Sequence, residues 1–457
     1  MNLKYILSIL VLSSLISCSD SFTDLAPISQ RNVGVFYKTA TDMEVAVNAI
    51  YSTLKMDGCY NQSYWVMQEL RSDNTFWDGT GLAEEITVFD KFTDISTSNI
   101  TEDAWNNSYL GVSRANIVLG RIDDVEMEAG LREQLRGEAL FLRSLFYYHL
   151  TVAFGNIPLV LTETASVDEG QKHVQVDAST IYARLITDLT EAMSKLPQSY
   201  SSSELGRATK GAAATLLAKI YLTTGDNSSA ESTLRSILTF GYSLVGDYAN
   251  LWGVENEHNS ESIFEVEFEG GFGDQGNSFT SQFNGVLATS VTSGLRNIPE
   301  RDLVDAYETG DKRFDASLAE VTPDNTGYTI KYGLTNAFSE DDAPNNWVVF
   351  RYADVLLMLA EALGEGTEAY ELINEVRTRA GLDPIDSNTP GTFTEKLLQE
   401  RRVELAFENH RWADLLRFGV ADAVMSAQGK PTNGKLLFAI PQRELDLNSG
   451  FKQNPGY

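Results

Sequence analysis

The stretch 397-LLQERRVELAFENHRWADLLRFG-419 decides how the rest of the chain is read. It is almost free of helix breakers and long enough for roughly six helical turns. Leu398, Leu405, Trp412 and Leu416 recur at spacings of seven, seven and four, so they form one apolar stripe. Glu400, Glu404 and Glu408 stand four apart on another face, where like charges repel by about 0.2–0.5 kcal/mol per pair. Such a row is tolerable if guanidinium groups sit against it. Arg401, Arg402, Arg411 and Arg417 are the near candidates; Arg351 and Arg377 are more remote. The stretch therefore reads as one packing helix tied by carboxylate–guanidinium pairs, and not as a catalytic row.

At the chain start, Lys4 precedes the apolar run Tyr5–Ile16, which is too short to span a bilayer and has the layout of a secretory signal peptide. It runs into Leu15-Ile16-Ser17-Cys18, which resembles the lipobox of bacterial lipoproteins. Residues 1–17 are then a signal peptide, and Cys18 is the lipidated first residue of the mature chain. No later segment is long and apolar enough to cross a membrane as a helix. Acyl chains on Cys18 would be the membrane attachment, and multiple chains anchor stably where one is marginal. Cys59 is then left without an intramolecular partner and reads as a small buried hydrophobe.

The side-chain balance is −29 for the full chain. Nucleic-acid binding needs clustered Lys and Arg, so it is excluded, and so is a polybasic membrane surface. Excess acid keeps a protein soluble outside the cell.

Residues 18–31 read as the lipidated N-terminus and a polar tether, and residues 32–457 as one domain. Within it, 32–240 is helical, 241–346 is loop-rich, and 347–457 is helical again. Periodicity predicts helices over Thr41–Met56, Thr101–Ile122, Met127–Phe154, Ala178–Leu196, Gly206–Thr224 and Ala230–Phe240. Asp57–Ser98 reads as irregular. Ala218–Leu238 and Ala360–Arg377 share one pattern: a helix end, a glycine-containing turn, and a second helix opening with alanine. That is the logic of tetratricopeptide-like (TPR-like) pairs, which bury their apolar faces only by stacking. Ser262–Glu269 alternates apolar and acidic residues and predicts a half-exposed strand. The glycine-, asparagine- and aromatic-rich segment after it is too long for an ordinary connector, and long loops in compact domains tend to be functional.

Few catalytic templates fit. His149, His173, His258 and His410 show no i, i+4 pair and no zinc spacing; His149 and His410 lie in helical stretches and read as structural. Gly271–Gly276 fits G-x-G-x-x-G, but no helical pattern opens at the third glycine and Asp274 stands where a pyrophosphate would lie. The acidic groups Glu255–Glu257 and Glu340–Asp342 could help hold a structural Ca²⁺, although neither has EF-hand spacing. Paired carboxylates for glycoside hydrolysis cannot be singled out among 64 acids. No cofactor is implied.

Several stretches together carry a resemblance. They are Arg136–Val160 (RGEALFLRSLFYYHLTVAFGNIPLV), Ala208–Leu222, Phe350–Leu363 (FRYADVLLMLAEAL), Ile373–Leu382 (INEVRTRAGL), Gln399–Gly419 and Leu437–Tyr457 (LFAIPQRELDLNSGFKQNPGY). In this order, behind a lipobox, they resemble the SusD/RagB family of outer-membrane nutrient-binding lipoproteins of Bacteroidetes. The resemblance implies a mainly α fold, with TPR-like helix pairs packed against a loop-rich ligand-binding region and a few short strands. It implies a non-enzymatic lipoprotein at the cell surface. That protein would bind an oligosaccharide, or in some members a peptide, and deliver it to a SusC-like TonB-dependent transporter. A surface glycoside hydrolase is the competing class.

The matched motifs are helical, so the ligand face has to be read from loop chemistry. Aromatic rings offer flat apolar area at small conformational cost. Sugar C–H faces can lie on them while neighbouring polar groups bond the hydroxyls. Trp65 and Trp77, with Arg71 and Asn74, lie in the irregular 57–98 region; Phe272, Phe279 and Arg296 lie in the second loop region. These seven are the candidate ligand-binding residues.

Overall fold

The computed structural model describes residues 36–77, 79, 84–271, 275–284, 295–333, 339 and 341–457. The expected signal peptide and tether, Cys18 and Phe272 lie outside the described residues.

The elements that position the site run as follows. Helix α1 is Ala40–Leu54, opened by a capping box in which the Thr39 hydroxyl and the Asp42 carboxylate satisfy each other's backbone N–H. The short α2 is Ser63–Gln68, and β1 is Thr75–Phe76. Four long helices follow: α3 (Asn99–Arg121), α4 (Ala129–Phe154), α5 (Ala178–Lys195) and α6 (Lys210–Thr223). Next come α7 (Asn227–Ile237), β2 (Ser262–Val266), α8 (Phe279–Phe283) and β3 (Ile298–Pro299). The C-terminal part holds β4 (Trp347–Arg351), α9 (Tyr352–Leu363), α10 (Thr367–Arg379), α11 (Phe393–Glu404) and α12 (Arg411–Arg417). The chain is mainly α, as expected, with strands that pair only two at a time.

From α3 to α7, each helix packs on the next in sequence. Gly225 (φ 78°) turns α6 into α7, and Gly364 (φ 69°) turns α9 into α10, each in a backbone region that glycine enters without steric cost. These are the two segments whose shared pattern predicted TPR-like pairs. More than a hundred residues separate them in sequence, yet α7 lies directly against α9.

The reading of 397–419 needs one correction. It is not a single helix but α11 and α12, separated by a turn in which Phe407 and Asn409 are left-handed (φ 66° and 65°). Left-handed backbone costs non-glycine residues about 1–2 kcal/mol each. Several backbone groups freed by the break find partners. The Ala406 carbonyl accepts from Lys331 Nζ at 2.6 Å, the Phe407 carbonyl accepts from the Tyr332 hydroxyl at 3.0 Å, and the Asn409 N–H donates to Glu69. The turn sets Glu408 against Lys331 and Arg351.

The charge pairing holds, with the remote arginines in the leading role. Glu400 pairs with Arg313 at 2.6 Å and Arg377 at 3.1 Å. Glu404 takes Arg313 at 3.0 Å together with Arg351 and Arg379. Glu408 takes Arg351 at 2.7 Å. The sequence-local arginines turn elsewhere: Arg401 to Asp354 and Asp414, Arg417 to Glu361 and Asp414, Arg402 and Arg411 to Asp73.

The strand β2 also departs from expectation. It pairs antiparallel with β4, from Ser262 opposite Arg351 to Val266 opposite Trp347, and is buried on both faces. Its acids are absorbed: Glu265 accepts from Asn346 Nδ2 and the His258 N–H at 3.0 Å each, and the preceding Glu261 pairs with Arg351 and Arg379. Cys59 is a buried free thiol, pushed up to about 12 by burial, as its small-hydrophobe reading requires. Buried His149 and His410 are both lowered to about 3, chiefly by burial; one meets the Tyr60 hydroxyl at 2.7 Å and the other Lys219 Nζ at 3.1 Å.

Candidate ligand-binding site

The two loop regions singled out in the sequence meet in a short ladder. β1 pairs antiparallel with β3, Thr75 opposite Pro299 and Phe76 opposite Ile298. The next residues outward are Trp77 on one strand, and Asn297 and Arg296 on the other. The ladder is fastened on both sides. The Glu300 N–H donates to the Asn74 carbonyl at 2.8 Å, and the N–H groups of Arg296 and Asn297 both donate to the Gln282 carbonyl, at 2.7 and 3.2 Å.

Beneath this edge lies a nest of aromatic rings. Phe279 and Phe283 of α8 meet Tyr332 and Trp347 edge-on, and Trp65 meets Phe283 edge-on at 5.2 Å between centroids. Edge-to-face pairs add about 0.5–1.5 kcal/mol each to the area they bury. The rings join the loop region to the helical body.

Four of the seven candidate residues belong to this interior. Trp65 and Phe279 are fully buried and offer a ligand no face. Arg71 is also fully buried; it clamps Asp94 through two parallel bonds of 3.0 and 3.1 Å, donates to the Tyr457 hydroxyl, and lies over the Phe92 and Phe438 rings. Asn74 is buried and accepts from Arg402 Nε at 2.9 Å. The sequence reading is corrected for these four: they hold the loop to the scaffold. Two remain at the surface. Trp77 and Arg296 are half-buried and lie just beyond the ladder, one on each strand.

The polar groups at this edge are unusually unsatisfied. Trp77 Nε1, Thr75 Oγ1, Gln282 Oε1 and both polar atoms of the Asn297 carboxamide are buried without a hydrogen-bond partner. A polar group left in that state costs about 1–3 kcal/mol, and such groups call for an explanation. Asn297 is missed by the sequence reading. Its signal is only its place beside Arg296, ahead of Ile298-Pro299. Gly79 is required here, because a Cβ at that position would lie 2.0 Å from the Trp77 ring.

The acidic groups weighed for Ca²⁺ are otherwise engaged. The Asp342 carboxylate accepts from the Gly271 N–H at 3.0 Å, and Glu257 accepts from the Asn346 N–H at 2.8 Å. His258, Glu265 and Glu267 do converge. Burial would lower the His258 imidazole, but the Glu267 hydrogen bond and the Glu265 and Glu267 charges outweigh it and raise it to about 9. The His258 ring pairs with Glu267 at 3.1 Å, and the cluster is not a metal site. Glu340 lies outside the described residues.

Comparison with known proteins fixes the family. Residues 320–457 match the model described as the SusD family, and residues 22–222 match one described as "Starch-binding associating with outer membrane". A solved laminarin-binding SusD-like protein is 30% identical, with a TM-score of 0.82, covering 92% of this chain and 100% of that one. The chain belongs to the SusD family. Among curated SusD proteins, SusD-like protein P25 of Formosa agariphila is 27% identical over 97% of this chain and 96% of its own length. The solved surface glycan-binding protein A from Bacteroides fluxus is 25% identical, with a TM-score of 0.80, over 92% of this chain and all of that one. The family description places such proteins at the outer membrane. Among the described residues, no helix is long and apolar enough to cross a membrane.

Proposed function

We propose that this SusD protein is a cell-surface lipoprotein that binds a glycan and hands it, chemically unchanged, to a SusC-like TonB-dependent transporter. In this reading acylated Cys18 anchors it to the outer membrane. The glycan lies against the edge formed by Trp77 and Arg296. The supporting observation is the β1–β3 ladder, which leads on one strand into the half-exposed Trp77 and on the other into the half-exposed Arg296. The ring suits the C–H face of a sugar and the Arg296 guanidinium, with its N–H donors, suits adjacent hydroxyls. Nucleophile, base and metal chemistry play no part.

Laminarin is the first polysaccharide to test, because the 30% identical relative is described as binding it. In affinity electrophoresis and calorimetry, Trp77→Ala is expected to weaken binding at least tenfold while the melting temperature shifts by less than about 3 °C. At about 2.1 cal/mol/K per residue, that shift corresponds to roughly 3 kcal/mol or less for a chain of this size. Unchanged affinity for every bound glycan, or a collapse of stability, would remove Trp77 from the ligand face. Cys18→Ala should release the protein from the membrane fraction.

A further inference from the structure

Away from the ladder, a hollow of about 530 Å³ opens between the C-terminal turns of α4, the start of α5, α12 and the C-terminal segment. It shares no lining residue with the Trp77 edge. We propose that it is a second binding pocket, for a neutral hydroxyl-bearing ring compound of one or two sugar units.

Size comes first. Small-molecule pockets run from about 300 to 1,000 Å³, and this one fits a disaccharide rather than a polymer. Polar chemistry comes next. The hydroxyls of Tyr148 and Tyr182 line the hollow, and neither has a hydrogen-bond partner among the described residues. Burial pushes both phenols upward, so they stay protonated, and each can donate one bond and accept others. Arg417 completes the set. Its Nε and Nη2 are fixed on Glu361 at 2.7 and 2.9 Å, and Nη2 also on Asp414 at 2.8 Å. Nη1 takes no part in those bonds and remains as a positioned donor.

Charge decides the ligand class. The guanidinium and its carboxylates are paired with one another, so an anion would gain no free positive charge and a cation no free negative one. A neutral ligand needs neither. The apolar side chains Val152, Leu416 and Leu437, with the tyrosine ring faces, line the same space and offer a surface for C–H groups. Gly155 (φ 69°) lets the C-terminal segment close this wall, since a Cβ there would lie 2.7 Å from Leu437 Cδ1.

The test uses the full chain carrying Trp77→Ala, so that the ladder edge is weakened and the two sites are read apart. D-Glucose, maltose and laminaribiose are offered at millimolar concentration, and saturation transfer to each sugar is measured by NMR. The expected result is transfer to at least one disaccharide. It should fall at least threefold when Tyr182→Phe, which removes a single oxygen, is added, and vanish with Leu416→Trp, which fills the space. Tyr148→Phe serves as the second oxygen deletion should Tyr182→Phe fail to fold. The proposal is overturned if no probe is saturated in the Trp77→Ala background, or if transfer survives both the oxygen deletion and the filling substitution.

Discussion

Replacing Glu404 by glutamine tests the central packing claim. Five buried cations, Arg313, Arg351, Arg377, Arg379 and Lys331, face five buried carboxylates, Glu261, Asp311, Glu400, Glu404 and Glu408. Glu404 alone touches three of the arginines. Burial would raise its carboxyl, but Arg379, Arg351 and Arg313 outweigh that and hold it well below the usual carboxylate range. Glu404→Gln leaves the set with one uncompensated positive charge. Breaking a buried pair from one side costs about 3–5 kcal/mol, a large part of a typical stability of about 5–15 kcal/mol. The folded-to-unfolded ratio should drop by two to nearly four orders of magnitude, at about 1.4 kcal/mol per tenfold. Glu400→Gln is the control. Burial raises the Glu400 carboxyl despite Arg313 and Arg377, so less is lost on neutralising it, and the expected cost is under about 1.5 kcal/mol. Urea unfolding at pH 7.5, with the slope checked for constancy, reads both variants. If Glu404→Gln costs less than about 1 kcal/mol, or the two variants cost the same, the hub assignment is wrong.

Three further expectations follow from particular sites. Glu69 is raised from 4.5 to about 7, chiefly by burial. Between these values the folded chain keeps a proton that the unfolded chain gives up, so this residue lowers stability increasingly as pH rises from 4.5 through 7. Glu69→Gln should therefore stabilise by about 2–3 kcal/mol at pH 8 and by almost nothing at pH 4.5; equal shifts at the two pH values would refute this. Asn297→Ala removes two buried atoms without a hydrogen-bond partner among the described residues, so its melting temperature should not fall; a clear loss of stability would make it a packing residue. Gly58→Ala would bring a Cβ to 2.1 Å from the Asp103 carbonyl and should cost more than about 2 kcal/mol. Gly120→Ala, in open space near the end of α3, should gain about 0.5–1 kcal/mol. Thermal denaturation of the pair separates close approach from helix propensity.

The helical body was legible because periodicity reports which face of a helix is buried, and Asn99–Arg121, Ala129–Phe154 and Ala178–Lys195 fall within two residues of their predicted bounds. The acidic row was legible as a demand for arginines, and Arg351 and Arg377 do answer it. Its break at 405–410 was not, because Phe407 and Asn409 carry no breaker signal. The bend is held by tertiary partners more than fifty residues away in sequence, and no local propensity records them. Burial of Trp65, Arg71, Asn74 and Phe279 was illegible for a related reason. Loop composition says which residues could meet a ligand, while their depth depends on what the remote Arg402, Asp94 and Trp347 do. The hollow beside Tyr148 and Tyr182 was hidden by the opposite bias: tyrosines on helices read as core, and these two keep their hydroxyls unpaired.

The buried charges also explain how a loop face can be rigid where it meets the scaffold. Buried ion pairs are weak evidence for stability, since apolar residues of similar volume often do as well. Their bonds, however, have direction. Asp73 takes Arg411 through two parallel bonds of 2.7 and 2.8 Å and meets Arg402 at 3.2 Å, while Arg402 also holds the Asp73 carbonyl and the Asn74 carboxamide. Asp73 and Asn74 lie immediately before β1, the strand that leads into Trp77. The position of the indole is thus set by α11 and α12, which are tied to each other by the buried Arg401–Asp414 pair at 2.8 Å. An apolar contact of equal area would leave that segment free to slide, because hydrophobic burial is non-directional; a bidentate guanidinium–carboxylate pair fixes both distance and plane. In this chain the charges do more than contribute stability: they fix where the Trp77 edge stands.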